Sequence, residues 1–131
     1  MEEKALDYFE EIVAQYDIVM VSDFGHGFIT EKIFNSIEKS AKNLAINTQT
    51  NAANAGYNLI TKYHNPKYVC LDESEIRLAA QQKHSDIEGI AQGIRELINA
   101  HYLIVTLGKR GSLGVDYEGK INKTPIFSTR V

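Results

Sequence analysis

The sequence has few of the residues that mark secreted, membrane-spanning or nucleic-acid-binding proteins. Its single cysteine, Cys70, excludes an internal disulfide and is typical of a reducing, cytoplasmic setting. No apolar run approaches the roughly 20 residues that cross a bilayer, and the first residues, Met1-Glu-Glu-Lys4, lack the basic start and apolar core of a signal peptide. A net charge of −3 argues against a general nucleic-acid binder. The four histidines form no metal-ligand spacing with Cys70, so no zinc site is expected.

Helical and strand-like segments alternate along the 131 residues, which suit a single domain spanning 1–131. Apolar residues at helical spacing predict helices over 2–15, from Thr30 to about 41, over 72–82 and from Ser85 to 98. Ser85 and Glu88 match a capping box at the start of the last helix. Short apolar runs predict six strands, at 17–21, 44–46, 68–71, 102–106, 112–117 and 120–127, with a brief helix at 58–63.

This alternation predicts an α/β fold of three layers, α/β/α, with a mostly parallel sheet and an antiparallel edge. The strand at 17–21 is uniformly apolar and is expected to be buried on both faces. Cys70 lies in another apolar run, so we expect it in the core.

Polar or glycine-bearing clusters follow four successive predicted parallel strands, at 22–27, 47–54, 72–75 and 106–111. Ligands of open α/β sheets bind beyond the carboxyl ends of the strands. Four such clusters on one edge therefore predict a small-molecule or nucleotide site there.

The segment from Thr106 to Gly111 has two readings. Glycines after a buried strand expose backbone N–H groups, which suit a phosphate, but they are equally typical of a tight turn between strands. Lys109 and Arg110 beside the glycines either screen a polyphosphate or point into water.

Asp72 and Glu75 lie one helical turn apart and have two interpretations. They could hold a hydrated Mg²⁺ against substrate phosphates, or they could form the N-terminal cap of a helix. Asp23 either orients a substrate hydroxyl or hydrogen-bonds its own turn, and the neighbouring His26 is expected to be exposed. The amide-rich stretch that begins at Asn47 suits hydroxyl or phosphate recognition, or is a solvated loop.

Several of these motifs, taken in order, resemble the ribokinase-like (PfkB) carbohydrate kinases, and most closely their heptose kinase-like branch. Thr106, Gly108 and Gly111 match the family's T-x-G-x-x-G segment beside the nucleotide. The family's N-x-x-E motif, which organises Mg²⁺ and the ATP phosphates, corresponds to Asp72 and Glu75, with aspartate replacing the usual asparagine.

The resemblance also covers the segments SDFGHG, INTQTN and TPIFSTRV. It implies that Asp23 and Gly25 lie near the sugar and that Asn47 borders the nucleotide. His26 replaces a lysine of the related SDYGKG loop, and Asn47-Thr-Gln49 replaces a DPK-like run. Because of these two differences, the resemblance does not identify the sugar.

The resemblance implies a central portion of a kinase that transfers the γ-phosphate of ATP to a sugar or sugar phosphate with Mg²⁺. The family's catalytic aspartate lies in a G-A-G-D motif, which does not occur in this sequence and would be expected beyond Val131. We therefore expect no catalytic residue and no turnover in this chain alone, and we expect it to self-associate. The alternative is a non-catalytic nucleotide-sensing or assembly domain.

Overall fold

The computed structural model describes residues 1–50 and 56–127, and six strands form one sheet in chain order. The strands are β1 (Val19–Asp23), β2 (Leu44–Thr48), β3 (Tyr68–Asp72), β4 (Tyr102–Thr106), β5 (Ser112–Val115) and β6 (Ile121–Thr124). The first four are parallel, and β5 and β6 are added antiparallel. The predicted α/β class, with a mostly parallel sheet and an antiparallel edge, is confirmed.

Four α-helices connect or precede the parallel strands. They are α1 (Glu2–Ile12), α2 (Glu31–Ser40), α3 (Glu73–Ala80) and α4 (Ile87–Leu97). The Thr30 hydroxyl accepts from Ile33 N at 3.2 Å and caps α2, as its position before an amphipathic segment predicts. The predicted capping box of α4 is wrong, because Asp86 rather than Ser85 is the cap and accepts from Gly89 N at 3.0 Å.

Some predicted segments are shorter in the structure. The expected helix at 58–63 is a single 3₁₀ turn, Ile60–Lys62, and the last strand ends at Thr124 rather than at 127. No α-helix in the described residues has more than 11 residues, which is far short of a bilayer span.

One face of the sheet forms the core with the helices. Buried side chains of all four helices join a single cluster with alternate strand residues. Those strand residues are Val21, Leu44, Ile46, Val69, Leu71, Leu103, Val105, Leu113 and Val115. Because side chains alternate along a strand, the other half of the strand residues points away from this cluster.

The opposite face, which we call the open face, is not covered by any described helix. Met20 is 75% exposed and Ile104 is 47% exposed on this face, and Cys70 is exposed there as well. The expectations that the first strand is buried on both faces and that Cys70 lies in the core are therefore wrong. Apolar runs alone do not reveal whether the second face of the sheet is covered. Of the predicted three layers, α/β/α, the described residues form two, because all four helices pack against the same face.

Candidate functional site

The polar clusters lie together at the carboxyl edge of the parallel strands. In the sheet, Ser22 pairs in register with Asn47, and Asp72 pairs with Thr106. Asn47 also donates from Nδ2 to Cys70 O at 2.8 Å, which joins β2 to β3. The predicted grouping of these clusters is thus observed for the described residues, whereas residues 51–54 of the second cluster lie outside them.

Strand pairing gives two sets of polar side chains on the open face, one on β1 and β2 and one on β3 to β6, which are offset by two residues between β2 and β3 and which we together call the rim row. Its members are hydroxyls, one amide and one carboxylate, drawn from all six strands: Ser22, Asn47, Asp72, Thr106, Ser112 and Thr124. Such a surface can hydrogen-bond hydroxyls or phosphate oxygens while carrying a single charge.

The glycine turn connects β4 to β5 beside the rim row. Leu107 N donates to Gly111 O at 2.8 Å, and the N–H groups of Arg110 and Gly111 bond within the turn. Gly108 has φ +56°, and a Cβ there would meet no atom within 4 Å. Gly111 has φ +86°, and a Cβ there would lie 2.0 Å from Thr124 O. Gly111 is therefore required by the approach of β6, whereas Gly108 faces open space.

Asp72 and Glu75 form a complete capping box at the start of α3. Asp72 Oδ1 accepts from Glu75 N at 2.8 Å, and Glu75 Oε2 accepts from Asp72 N at 2.9 Å. The other oxygen of Glu75 accepts from Thr50 N at 3.4 Å. Burial is the main cause that raises the pKa of the Glu75 carboxyl, which is 9% exposed. The structural interpretation of this pair is thus observed.

The same geometry limits how a metal could be held. Both oxygens of Glu75 are engaged by backbone N–H groups, whereas Asp72 is exposed and its Oδ2 accepts no hydrogen bond from the described residues. In that part of the chain, no three His, Cys, Asp or Glu side chains are grouped as a metal site. The donor set fits a hydrated Mg²⁺ bound through one carboxylate and substrate phosphates, rather than a protein cage.

Asp23 is the most buried carboxylate of the edge, and its oxygens are engaged by its neighbours. Oδ1 accepts from Gly25 N at 2.9 Å, while Oδ2 accepts from the Tyr63 hydroxyl and lies 2.6 Å from Lys62 Nζ. Burial alone would raise the pKa of Asp23, but hydrogen bonds from Lys62, Tyr63 and Gly25 outweigh it and lower the pKa. Asp23 is therefore ionised and held in place.

Asn58 connects this buried carboxylate to the next strand. Its Nδ2 donates to the backbone oxygens of Asp23 and Gln49, at 2.8 and 3.1 Å, and its Oδ1 accepts from Lys62 Nζ at 2.6 Å. Gln49 N donates to Asp23 O at 2.9 Å. The ends of β1 and β2 are thus fixed to each other from below the rim row.

Glu73 joins the glycine turn to the start of α3. Its carboxylate accepts from Arg77 Nη2 at 2.9 Å and pairs with Arg110. Hydrogen bonds from Arg77, then from Arg110, lower the pKa of Glu73. Lys109 and His26, by contrast, are exposed.

The sequence alone did not identify Asn58, Lys62, Tyr63 or Glu73 as parts of this edge. Nothing in the local pattern distinguishes them, because Asp23 is 35 to 40 residues from Asn58, Lys62 and Tyr63, and Arg110 is 37 residues from Glu73. Ser22 lay in a predicted cluster, whereas Ser112 and Thr124 did not. Both could have been found, because strand periodicity places them on the face of Met20 and Ile104.

The comparison with protein families matches the whole chain, residues 1–131, to the model described as "pfkB family carbohydrate kinase". The chain belongs to the pfkB family of carbohydrate kinases. Among curated proteins, it is 22% identical over 134 residues to the bifunctional protein HldE of Nitrobacter hamburgensis. That match covers 100% of this chain and 27% of HldE, so the chain spans about a quarter of that relative's length.

Solved structures of two kinases share the fold. Escherichia coli phosphofructokinase-2, in complex with fructose-6-phosphate, superposes with a TM-score of 0.71 at 21% identity. That match covers 95% of this chain and 43% of the enzyme. Arabidopsis thaliana ribokinase, complexed with ribose and ATP, gives a TM-score of 0.64 at 15% identity and covers 100% of this chain and 40% of the ribokinase. At these identities the likeness establishes the fold.

Proposed function

We propose that this chain forms the nucleotide-facing part of an ATP-dependent carbohydrate kinase, which transfers the γ-phosphate of ATP to a sugar hydroxyl. Membership of the pfkB family supports the reaction class. The observation that carries the proposal is the rim row beside the glycine turn, where a polar edge with a single charge meets open space at Gly108. The same proposal includes a sugar or sugar phosphate as the substrate, a homo-oligomeric state and a cytoplasmic location.

Thr106, Gly108, Gly111 and Asn47 are assigned to the nucleotide. Thr106 is exposed, and its hydroxyl makes one contact with the described residues, at 3.5 Å to Leu71 O, so it remains available to a ligand. The Oδ1 of Asn47 is available in the same way, because Asn47 uses Nδ2 to donate to Cys70 O and its Oδ1 accepts no hydrogen bond from the described residues. Gly111 acts indirectly in this assignment, because it lets β6 approach the turn.

Asp72, through water, is assigned to Mg²⁺, with Glu75 fixing the orientation of Asp72 by closing the capping box. Bound Mg²⁺ would neutralise charge on the ATP phosphates. Asp23 and Gly25 are assigned to the sugar side, where the ion pair with Lys62 favours a positioning role for Asp23.

The isolated chain is expected to bind nucleotide weakly and to show no kinase turnover. Its 131 residues contain no G-A-G-D segment, so neither a general base nor the associated anion-stabilising helix start is available for phosphoryl transfer. Sugar-dependent ATP consumption by the purified chain would contradict this expectation.

The nucleotide assignment is tested by titrating ATP, with and without Mg²⁺, into wild type and Gly108→Ala. Gly119→Ala is the matched control, because Gly119 also has positive φ and open space but lies in the turn between β5 and β6. We expect Gly108→Ala to weaken binding about tenfold, since a methyl group would obstruct approach to the backbone, and Gly119→Ala to leave it unchanged. Equal binding by both variants would remove the glycine turn from the site.

A second candidate function is non-catalytic assembly or nucleotide sensing, which the uncovered open face favours. An assembly domain would associate without binding nucleotide at the glycine turn. A nucleotide sensor would bind nucleotide, and the binding would change how strongly the chain associates. Measuring both properties on the same samples separates it from the kinase proposal.

A further inference from the structure

Arg110, which precedes the second glycine of the glycine turn, is held by a carboxylate from another element. Its Nη2 donates to Glu73 Oε2, and Glu73 is the first residue of α3, next to Asp72. The pair therefore joins the two segments that the proposed function assigns to the nucleotide and to Mg²⁺. Arg110 is thus not the free solvated cation that one interpretation of the sequence predicts.

Glu73 is neutralised by two arginines, of which only one comes from the turn. Its Oε1 accepts from Arg77 Nε at 3.0 Å and from Arg77 Nη2 at 2.9 Å, while Oε2 is used by Arg110. The Arg77 side chain is 21% exposed and that of Arg110 is 59% exposed. If Arg110 moved away, Arg77 would still neutralise Glu73, so no carboxylate would be left unpaired.

The Arg110 side chain is also free to exchange its partner. With the described residues it makes no other hydrogen bond or ion pair than the one to Glu73. An exposed ion pair of this kind contributes little to stability. A guanidinium group binds two phosphate oxygens at once, which is a stronger and more directional interaction. A polyphosphate at the glycine turn would therefore compete successfully with Glu73 for Arg110.

The glycine turn needs side-chain charge to bind a polyphosphate. Three of its backbone N–H groups are already used inside the turn, because Leu107 donates to Gly111 O, Arg110 to Leu107 O and Gly111 to Gly108 O. Fewer N–H groups are then available to phosphate oxygens. The exposed carboxylate of Asp72 nearby adds repulsion. Arg110 is the cation best placed to offset it.

We propose that Arg110 is a phosphate-binding residue of the nucleotide site and that Glu73 holds it away from the phosphates until a polyphosphate binds. On binding, the guanidinium group exchanges the Glu73 carboxylate for phosphate oxygens, and Glu73 keeps its bonds from Arg77. Glu73 therefore lowers the affinity for polyphosphate, because its ion pair with Arg110 is lost in the exchange. The inference rests on the proposed function, since it concerns the same site.

The test is calorimetric titration of ATP and of inorganic tripolyphosphate, both without Mg²⁺, into wild type, Glu73→Gln, Arg110→Gln and the double variant. Salt of about 0.15 M screens charges more than about 8 Å apart. We expect Glu73→Gln to tighten the binding of both ligands at least about fivefold. In the Arg110→Gln background, the same substitution should change binding by less than about twofold.

Glu96→Gln is the matched control. Glu96 also pairs with an arginine, Arg95, at 3.8 Å, but it lies near the end of α4. Its substitution should leave the affinity for both ligands unchanged. Circular dichroism melts of every variant establish that the chains are folded, and Gly108→Ala reports separately on the nucleotide assignment.

Four outcomes would overturn the inference. Weaker binding by Glu73→Gln would mean that Glu73 holds the turn in its binding conformation. An equal gain with and without Arg110 would be a general effect of charge. ATP binding that depends on Gly108, but on neither Glu73 nor Arg110, would overturn this inference and leave the proposed function standing. Failure of every variant and of wild type to bind either ligand would overturn both.

Discussion

Lys62 Nζ lies 2.6 Å from Asp23 Oδ2, and the two groups form an ion pair directly beneath the carboxyl edge of the sheet. The carboxylate is only 4% exposed, whereas the lysine side chain is 40% exposed. The pair therefore combines a buried anion, which needs its partners, with a cation that keeps partial contact with water. This asymmetry makes Asp23 the more sensitive of the two positions.

Replacing Asp23 with asparagine should lower the free energy of unfolding by about 1–3 kcal/mol. The introduced amide would face the Lys62 and Tyr63 donors with its own NH₂ group, or rotate and lose the bond from Gly25 N. Urea denaturation measures the change. Asp17→Asn is the control, since Asp17 is 98% exposed in its 3.6 Å pair with Lys42. An equal effect of both substitutions would show that burial does not strengthen the Asp23 pair.

The contribution of Asp23 to stability should depend on pH in a defined direction. Its pKa is lowered in the folded chain, so its stabilisation is fully present above the unfolded-state pKa of about 3.9. The contribution is lost as the pH falls through the lower folded-state pKa. We expect the stability gap between wild type and Asp23→Asn to be constant above about pH 5 and to shrink below about pH 4. Urea denaturation at a series of pH values checks this, and a gap that widens on acidification would contradict it.

Gly111→Ala should destabilise the chain much more than Gly108→Ala. Both positions have positive φ, which costs about 1–2 kcal/mol for alanine. At Gly111 the new methyl group would also lie 2.0 Å from Thr124 O, so β6 would have to move away from the turn. Thermal unfolding compares the two variants, and similar melting temperatures would mean that β6 contributes little to stability.

Asp72→Asn should strengthen ATP binding several-fold in the absence of Mg²⁺ and reduce its dependence on Mg²⁺. The substitution removes a negative charge beside the proposed phosphate position, while asparagine is an equally good helix cap. Calorimetric titration of ATP with and without Mg²⁺ provides the measurement. Asp86→Asn at the cap of α4 is the control, because it alters an equivalent cap elsewhere. Weaker Mg²⁺-free binding by Asp72→Asn would be evidence against this charge repulsion.

The sequence predicted those features that depend on local periodicity. The stripe of α4 and the cap at Thr30 follow from spacing alone, and both occur in the structure. The predicted position of the polar edge follows from the parallel order of β1 to β4.

Features that depend on distant neighbours could not be predicted in the same way. Cys70 lies in an apolar run but is exposed. This exposure could not be predicted, because an apolar run does not reveal whether a second layer of helices covers the sheet. The partners of Asp23 are up to 40 residues away, and nothing near Asp23 indicates that its charge is neutralised by Lys62. At Asp86, two adjacent residues are both good caps, and local preference does not decide between them.

The order of the strands has a consequence for how the sheet forms. Every strand pairs with its immediate predecessor and successor in the chain, so no later segment has to insert between two strands that are already paired. During synthesis, each of these strands can therefore add to the strand made just before it. The most recently made strand is then the edge at which the next strand pairs.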